Sequence, residues 1–331
     1  MAVLSRIKPL YGNVGNPTGG TRAFTTACCA VHILCACYKH PVIPPEPVSR
    51  VAAIAPVIIA AACFAFADVA TKVTLHAGAD VLTMALFRGM IGVPLLLAWV
   101  FVGAAPKPLT TPQRRLALLI GLLFAGNVFF LFKAIEVMEV PLAILTYFTY
   151  PLLTGLAAAA TGIERLGLAG ALAALAAFAG LALMIGAHPG GVALAGIAFA
   201  LLSSCTRVVI LLLTRAKLQG ADSRLITLWS LIAATVVFVA AAFATMNWQP
   251  PVTAAGWFAL IASSIAMAIA VLMIFVSTAR IGPFRTALFM NFEPLLATIA
   301  SGIVLGEVIT PLQALGGAVM VAALVAFQMR R

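Results

Sequence analysis

Six charged residues stand well inside long apolar stretches of this chain: Asp68, Lys72, Arg88, Lys133, Arg207 and Glu293. An ionisable group held in hydrocarbon costs about 2.5–3.5 kcal/mol on insertion scales, so each is a functional-site candidate by default. Glu293 is the most informative acid, because it adjoins Pro294 and lies two residues after Asn291. A carboxylate there suits proton uptake and release, or contact with a cationic solute, or a permanent ion pair with Arg88 or Arg207. Arg88 serves either a solute or the carbonyls of a neighbouring helix. Arg207 lies beside Ser203, Ser204 and Cys205, a polar patch that suits a cavity. Asp68 and Lys72 are four residues apart on one helix face and can partner each other, as a self-neutralising structural pair or as groups facing the solute. Lys133 reads as a side chain that snorkels outward. Asn127, Tyr147 and Tyr150 add neutral polar contacts.

Pro151 and Pro294 indicate what positions these groups. Each proline removes a helix hydrogen bond and frees a carbonyl one turn earlier. In an apolar helix that is tolerated beside a polar cavity or a neighbour that satisfies the freed group. The two prolines belong to a repeated block. Tyr150-Pro151-Leu152-Leu153 leads to Glu164-Arg165, and Glu293-Pro294-Leu295-Leu296 leads to Glu307-Val308. Gly78-Ala79-Asp80 likewise recurs as Gly220-Ala221-Asp222, and Pro141 as Pro283. Similarity at so long an offset means a duplicated half rather than a short-repeat solenoid. Glu164 and Glu307 fall at helix ends, where a carboxylate is cheap, and read as packing residues.

Composition decides the class. Hydrophobic residues make up 63% of the 331 and charged residues 9%, with a mean hydropathy of +1.14. An ordinary soluble domain carries about a quarter charged residues. A span needs about 20 mostly apolar residues, and the chain supplies ten, roughly 51–75, 80–103, 115–135, 140–162, 166–187, 191–214, 224–246, 252–278, 284–306 and 311–328. The expected fold is all-α and polytopic, two inverted five-helix repeats over 51–187 and 188–331. The net charge of +11 does not point to nucleic acid, since the basic residues sit in short breaks rather than on one face.

Those basic residues set the orientation. With the N-terminus inside, the inner breaks hold Lys107, Arg114, Arg115, Arg165, Arg215, Lys217, Arg224, Arg280, Arg285, Arg330 and Arg331. The outer breaks hold Glu136, Glu139, His188, Trp248 and Glu307 with no Lys or Arg. Both termini are therefore expected to be cytoplasmic, in the inner membrane if the source is bacterial. Five helices per half, an odd number, force the second half to enter upside down. Residues 1–50 read as a disordered cytoplasmic extension without a span. Their Cys28, Cys29, Cys35 and Cys37, with His32 and His40, lack the paired spacing of a structural zinc site, so neither metal nor cofactor is expected.

From about Val51 onward the chain resembles the drug/metabolite transporter superfamily, in its ten-helix branch with two EamA-type repeats. Arg88, Tyr150-Pro151 with Glu164-Arg165-Leu166, and Glu293-Pro294 with Leu305-Gly306-Glu307 carry the resemblance. The first copy departs from the pattern, with Tyr150 in place of the glutamate. The resemblance implies a carrier of small organic solutes and leans towards export.

The expected function is secondary active transport of an amino-acid-like metabolite or drug, by alternating access around a midplane cavity, with the bilayer and protons as further partners. An integral-membrane enzyme is the alternative, but no HExxH, GxSxG or Walker sequence occurs. A structural or channel subunit would show a ring of one residue type around a pore, and the sequence suggests none.

Overall fold

Every long apolar stretch becomes a helix. The computed structural model describes residues 50–102, 105–138, 140–185, 194–245, 248–306 and 308–329. Its helices are α1 (Arg50–His76), α2 (Val81–Val102), α3 (Thr111–Val137), α4a (Val140–Tyr147), α4b (Tyr150–Ala160) and α5 (Leu168–Ile185) in the first repeat. The second repeat holds α6 (Leu194–Lys217), α7 (Ser223–Thr245), α8 (Ala254–Ile281), α9a (Pro283–Phe289), α9b (Phe292–Leu305) and α10 (Pro311–Met329). With α4a/α4b and α9a/α9b each counted as one span, ten segments are long and apolar enough to cross a membrane. No strand occurs among the described residues. The expected metal-free cluster in 1–49, with Glu139, His188 and Glu307, lies outside them.

Helix α3 starts earlier than the apolar pattern predicts. Thr110 and Gln113 form a reciprocal capping box, which stabilises a polar first turn ahead of the apolar run. Thr310 and Gln313 form the same pair at the start of α10.

The paired kinks expected at the prolines are observed as full breaks. Helix α4a stops at Tyr147 and α9a at Phe289, each a few residues before its proline. Having no N–H, Pro294 cannot bond the Met290 carbonyl, and the Glu293 N–H takes that oxygen instead at 3.0 Å. With the Asn291 N–H on the Leu288 carbonyl at 3.3 Å, this i→i+3 tightening turns the chain between α9a and α9b.

The repeats interlock rather than sit side by side. Helix α1 packs on α8, and α6 on α3. Helix α2 packs on α7 and α8, α3 on α7, and α5 on α10. A pseudo-two-fold axis that exchanges α1–α5 with α6–α10 requires this pairing: α1·α8 maps onto α6·α3, while α2·α7 and α5·α10 map onto themselves. Small residues bring α5 and α10 close, since a β-carbon on Gly180 would lie 2.7 Å from the Gly316 carbonyl oxygen.

Apolar packing is concentrated at one end. The largest core cluster joins Val57 and Phe64 of α1, Ile120 of α3, Tyr150 of α4b and Leu211 of α6. It continues through Phe275 of α8, Leu288 of α9a and Leu324 of α10. Most of its members lie in the half of the bundle whose loops carry Arg114, Arg165, Arg215 and Arg280, hereafter the basic end. Much smaller clusters occupy the opposite end, around Met138 and around Leu260.

Candidate functional site

The charged residues of the apolar spans, Lys133 apart, gather where α4 and α9 break. Arg207 arrives on α6 and is 6% exposed. Its guanidinium carbon lies 5.8 Å from the ring centre of Tyr150 and 5.9 Å from that of Phe64. Tyr147, Phe148 and Tyr150 form a continuous aromatic wall, with ring centres 5.4–5.7 Å apart. The break in α4 makes this wall, because it places residues on both sides of the turn against one another.

Glu293 sits in the first turn of α9b, half-buried, within electrostatic reach of Arg207 and Asp68. It forms no ion pair among the described residues, so the permanent bridge to Arg88 or Arg207 is not made. Asp68 is exposed although it lies among Arg88, Lys72 and Glu293. The expected Asp68–Lys72 ion pair is absent too. Lys72 instead donates to the hydroxyl of Ser301 on α9b at 3.1 Å, because α1 packs against α9b there. Arg88 donates from Nη2 to Thr71 Oγ1 at 2.6 Å, and its Nε–H is buried without a partner. Five charged groups thus share one neighbourhood, drawn from α1, α2, α6 and α9b.

The amides are differently employed. Asn127, buried on α3, donates to the Ser203 carbonyl at 2.7 Å and to its hydroxyl at 2.9 Å. The Ser203 hydroxyl donates back to the Asn127 carbonyl at 2.8 Å. Ser204 Oγ and Thr149 Oγ1 stand 3.1 Å apart. These bonds tie α6 to α3 and α4 directly beside Arg207. Asn291 spends its amide on the Leu288 carbonyl at 2.8 Å, at the turn between α9a and α9b. Lys133 pairs with Glu136, three residues on, at 2.6 Å on the surface.

Phe64, Thr71 and Ser301 were not evident from the sequence. Phe64 had a signal, since it precedes Asp68 by four residues and Lys72 by eight, on the same face of α1. Two apolar clefts of about 490 and 670 Å³ lie elsewhere, between α2 and α7 and between α2, α3 and α7. None of the candidate residues lines them.

A family model describes this arrangement, matching once per five-helix repeat, over residues 51–186 and 194–328. The chain belongs to the EamA-like transporter family. Both halves of the transporter are EamA units, consistent with the drug/metabolite transporter superfamily and with an integral, multi-pass membrane protein. No curated protein matches the sequence. Among solved structures, 29 chains match. One crystal structure is 21% identical, covers 86% of this chain and 100% of its own, and superposes with a TM-score of 0.73. At that identity the likeness speaks for the fold alone.

Proposed function

We propose that this EamA-like transporter is a secondary carrier that exports a small organic solute, amino-acid-like or drug-like, by alternating access. The supporting observation is the meeting of Asp68, Arg88, Arg207 and Glu293 at the level where α4 and α9 are broken. Charges are kept there against the cost of burial, beside irregular backbone, and the two repeats meet at that level. This is the usual construction of a transport site.

The uneven core supports one accessible state. Apolar packing fills the basic end, while Asp68 and Lys72 stay open on the other side of the charged cluster. On the positive-inside rule the basic end is cytoplasmic. The site is then closed towards the cytoplasm and reached from outside. In this reading, rocking of the interlocked helices about the breaks at Pro151 and Pro294 exchanges the closed end, with the repeats divided near residue 187.

Acids and bases coexist in the cluster, which suits a zwitterion better than a simple cation. Protons are the coupling ion in this reading, with Glu293 the residue that exchanges them or meets the solute's cationic group. Proteoliposomes holding the purified carrier test the proposal, loaded with a panel of amino acids and amines, with and without a pH gradient. Saturable flux that responds to the gradient is expected. An absence of protein-dependent flux across the panel overturns the proposal.

A further inference from the structure

We propose that Arg207 is a carboxylate receptor, so that the solutes this carrier recognises bear a carboxylate group. The inference rests on the transport reading above and names the solute class for that site.

Arg207 is the buried cation whose donors are unspent. Its side chain is 6% exposed, yet no hydrogen bond or ion pair to its guanidinium is made among the described residues, and its Nε–H is buried without a partner. Other arginines of the spans and loops are engaged. Arg88 bonds Thr71, Arg215 donates to the Ala279 carbonyl, and Arg224 forks onto Asp222. A structural arginine in an apolar bundle bonds carbonyls or an acid, because a guanidinium has five N–H donors and leaving them bare is costly.

The geometry says what would satisfy them. The rings of Phe64 and Tyr150 hold the cation by its π contacts. Such contacts do not use the N–H edge, and a carboxylate matches that edge with two parallel hydrogen bonds. Asn127 of α3, locked to Ser203, and Thr149, against Ser204, fix α6 one turn before Arg207. The cation is therefore held in place before a ligand arrives.

Glu293 stands within electrostatic reach of Arg207, and Asp68 within reach of Glu293, but neither bridges Arg207. Their negative charge disfavours a dianion such as phosphate and favours a monoanion, and it offers a place for an ammonium group on the same solute. A carboxylate at Arg207 with a cationic group towards Glu293 and Asp68 answers unbridged charges of both signs in the cluster.

The test uses full-length carrier in detergent, labelled with [¹⁵N]arginine. The Arg207 Nε–H resonance is assigned by its absence in Arg207→Lys, a variant that keeps the charge and loses the fork. Sodium acetate, butyrate and hexanoate are titrated against sodium chloride at equal ionic strength, with butylammonium chloride as the matched amine. The expected result is that carboxylates shift this resonance and raise the melting temperature, whereas butylammonium and chloride do neither. In Arg207→Lys the carboxylate effect on melting weakens by roughly tenfold or more in concentration. If that variant does not fold, the wild-type contrast between carboxylate, chloride and amine decides alone. No response to any carboxylate, or an equal response to chloride, overturns the assignment. Flux separates the two readings. Proteoliposomes that carry amines but not carboxylates keep the transport reading and overturn Arg207 as receptor. Carboxylate binding without flux of any solute does the reverse.

Discussion

The carboxyl group of Glu164 occupies the place that a β-carbon on Gly282 would take. Glu164 follows α4b in the first repeat, and Gly282 joins α8 to α9a in the second, so this contact closes the basic end across the two repeats. Phe284 reinforces it by lying over Gly155 and Gly170, where β-carbons would stand 2.8 and 3.1 Å from its ring. The packing role expected of Glu164 is thus given a specific partner.

Gly282 has φ of 88°, a left-handed conformation that a side chain disfavours. Gly282→Ala is expected to displace Glu164 and to destabilise the carrier by about 1–3 kcal/mol from backbone strain. The melting temperature in detergent should fall. A cysteine placed at buried position 288 should label faster in this background than in one with Gly282 intact. Unchanged melting and unchanged labelling would show that the contact does not hold the basic end shut.

Glu293 forms no ion pair among the described residues, which makes Glu293→Gln informative. The amide keeps shape and hydrogen bonding and removes the charge. Flux is expected to lose its dependence on a pH gradient while yield and melting stay near wild type. A structural bridge would instead show a loss of stability of about 3–5 kcal/mol, the cost of stranding a buried partner. Flux that remains gradient-dependent sinks the coupling role.

The helical plan was legible because composition and Pro/Gly spacing report it directly. The breaks at Pro151 and Pro294 were legible through duplication. The meaning of Gly78-Ala79-Asp80 and its copy was not, although both were noticed. Each forms the corner into the second helix of its repeat, with a left-handed glycine followed by an aspartate that accepts from the next helix's N–H groups. Ser203, Ser204 and Tyr150 were legible as polar neighbours for the site, but the contact of Phe64 with Arg207 was not, since the two are far apart in sequence and meet only in the folded bundle. The choice of Lys72 for Ser301 over Asp68 was hidden for the same reason, as local spacing predicts only local partners.

Asn127 is expected to act as a lock between α3 and α6 more than as a solute contact. Asn127→Ala removes the two bonds that the amide donates to the Ser203 carbonyl and hydroxyl, while the hydroxyl keeps its bond to the residue-127 carbonyl, at a cost of about 1–3 kcal/mol. Thermal unfolding should register this, while the KM of flux for a carried solute should change little. A large rise in KM at unchanged melting would place the amide in the solute site instead.

Asp222 offers a pH prediction at the basic end. Hydrogen bonds from the Arg224 side chain at 2.7 and 3.1 Å, with the Arg224 N–H at 2.9 Å, hold its carboxyl below the usual carboxylate range. A lowered folded value means that the stability it contributes is complete above the unfolded value of about 3.9. That stability is lost as pH falls through the lower folded value. The melting difference between wild type and Asp222→Asn should therefore be constant from neutral pH down to about 5 and shrink in more acid solution. A difference that widens towards acid contradicts the assignment.

The interlocked pairing of the repeats also dictates an order of events at the ribosome. Helix α1 takes α8 as a main partner, yet α8 begins roughly 180 residues after α1 ends. At about 5–20 residues per second, α1 waits on the order of 10–35 s before that partner emerges. During the wait Lys72 does not yet have Ser301 in place, and its four-residue spacing from Asp68 lets each neutralise the other. The pair absent from the finished carrier is the one that suits the nascent chain. A lone first repeat has no such rescue for its exposed packing faces, so a truncated carrier should be a substrate for membrane quality-control proteases rather than a half-sized transporter.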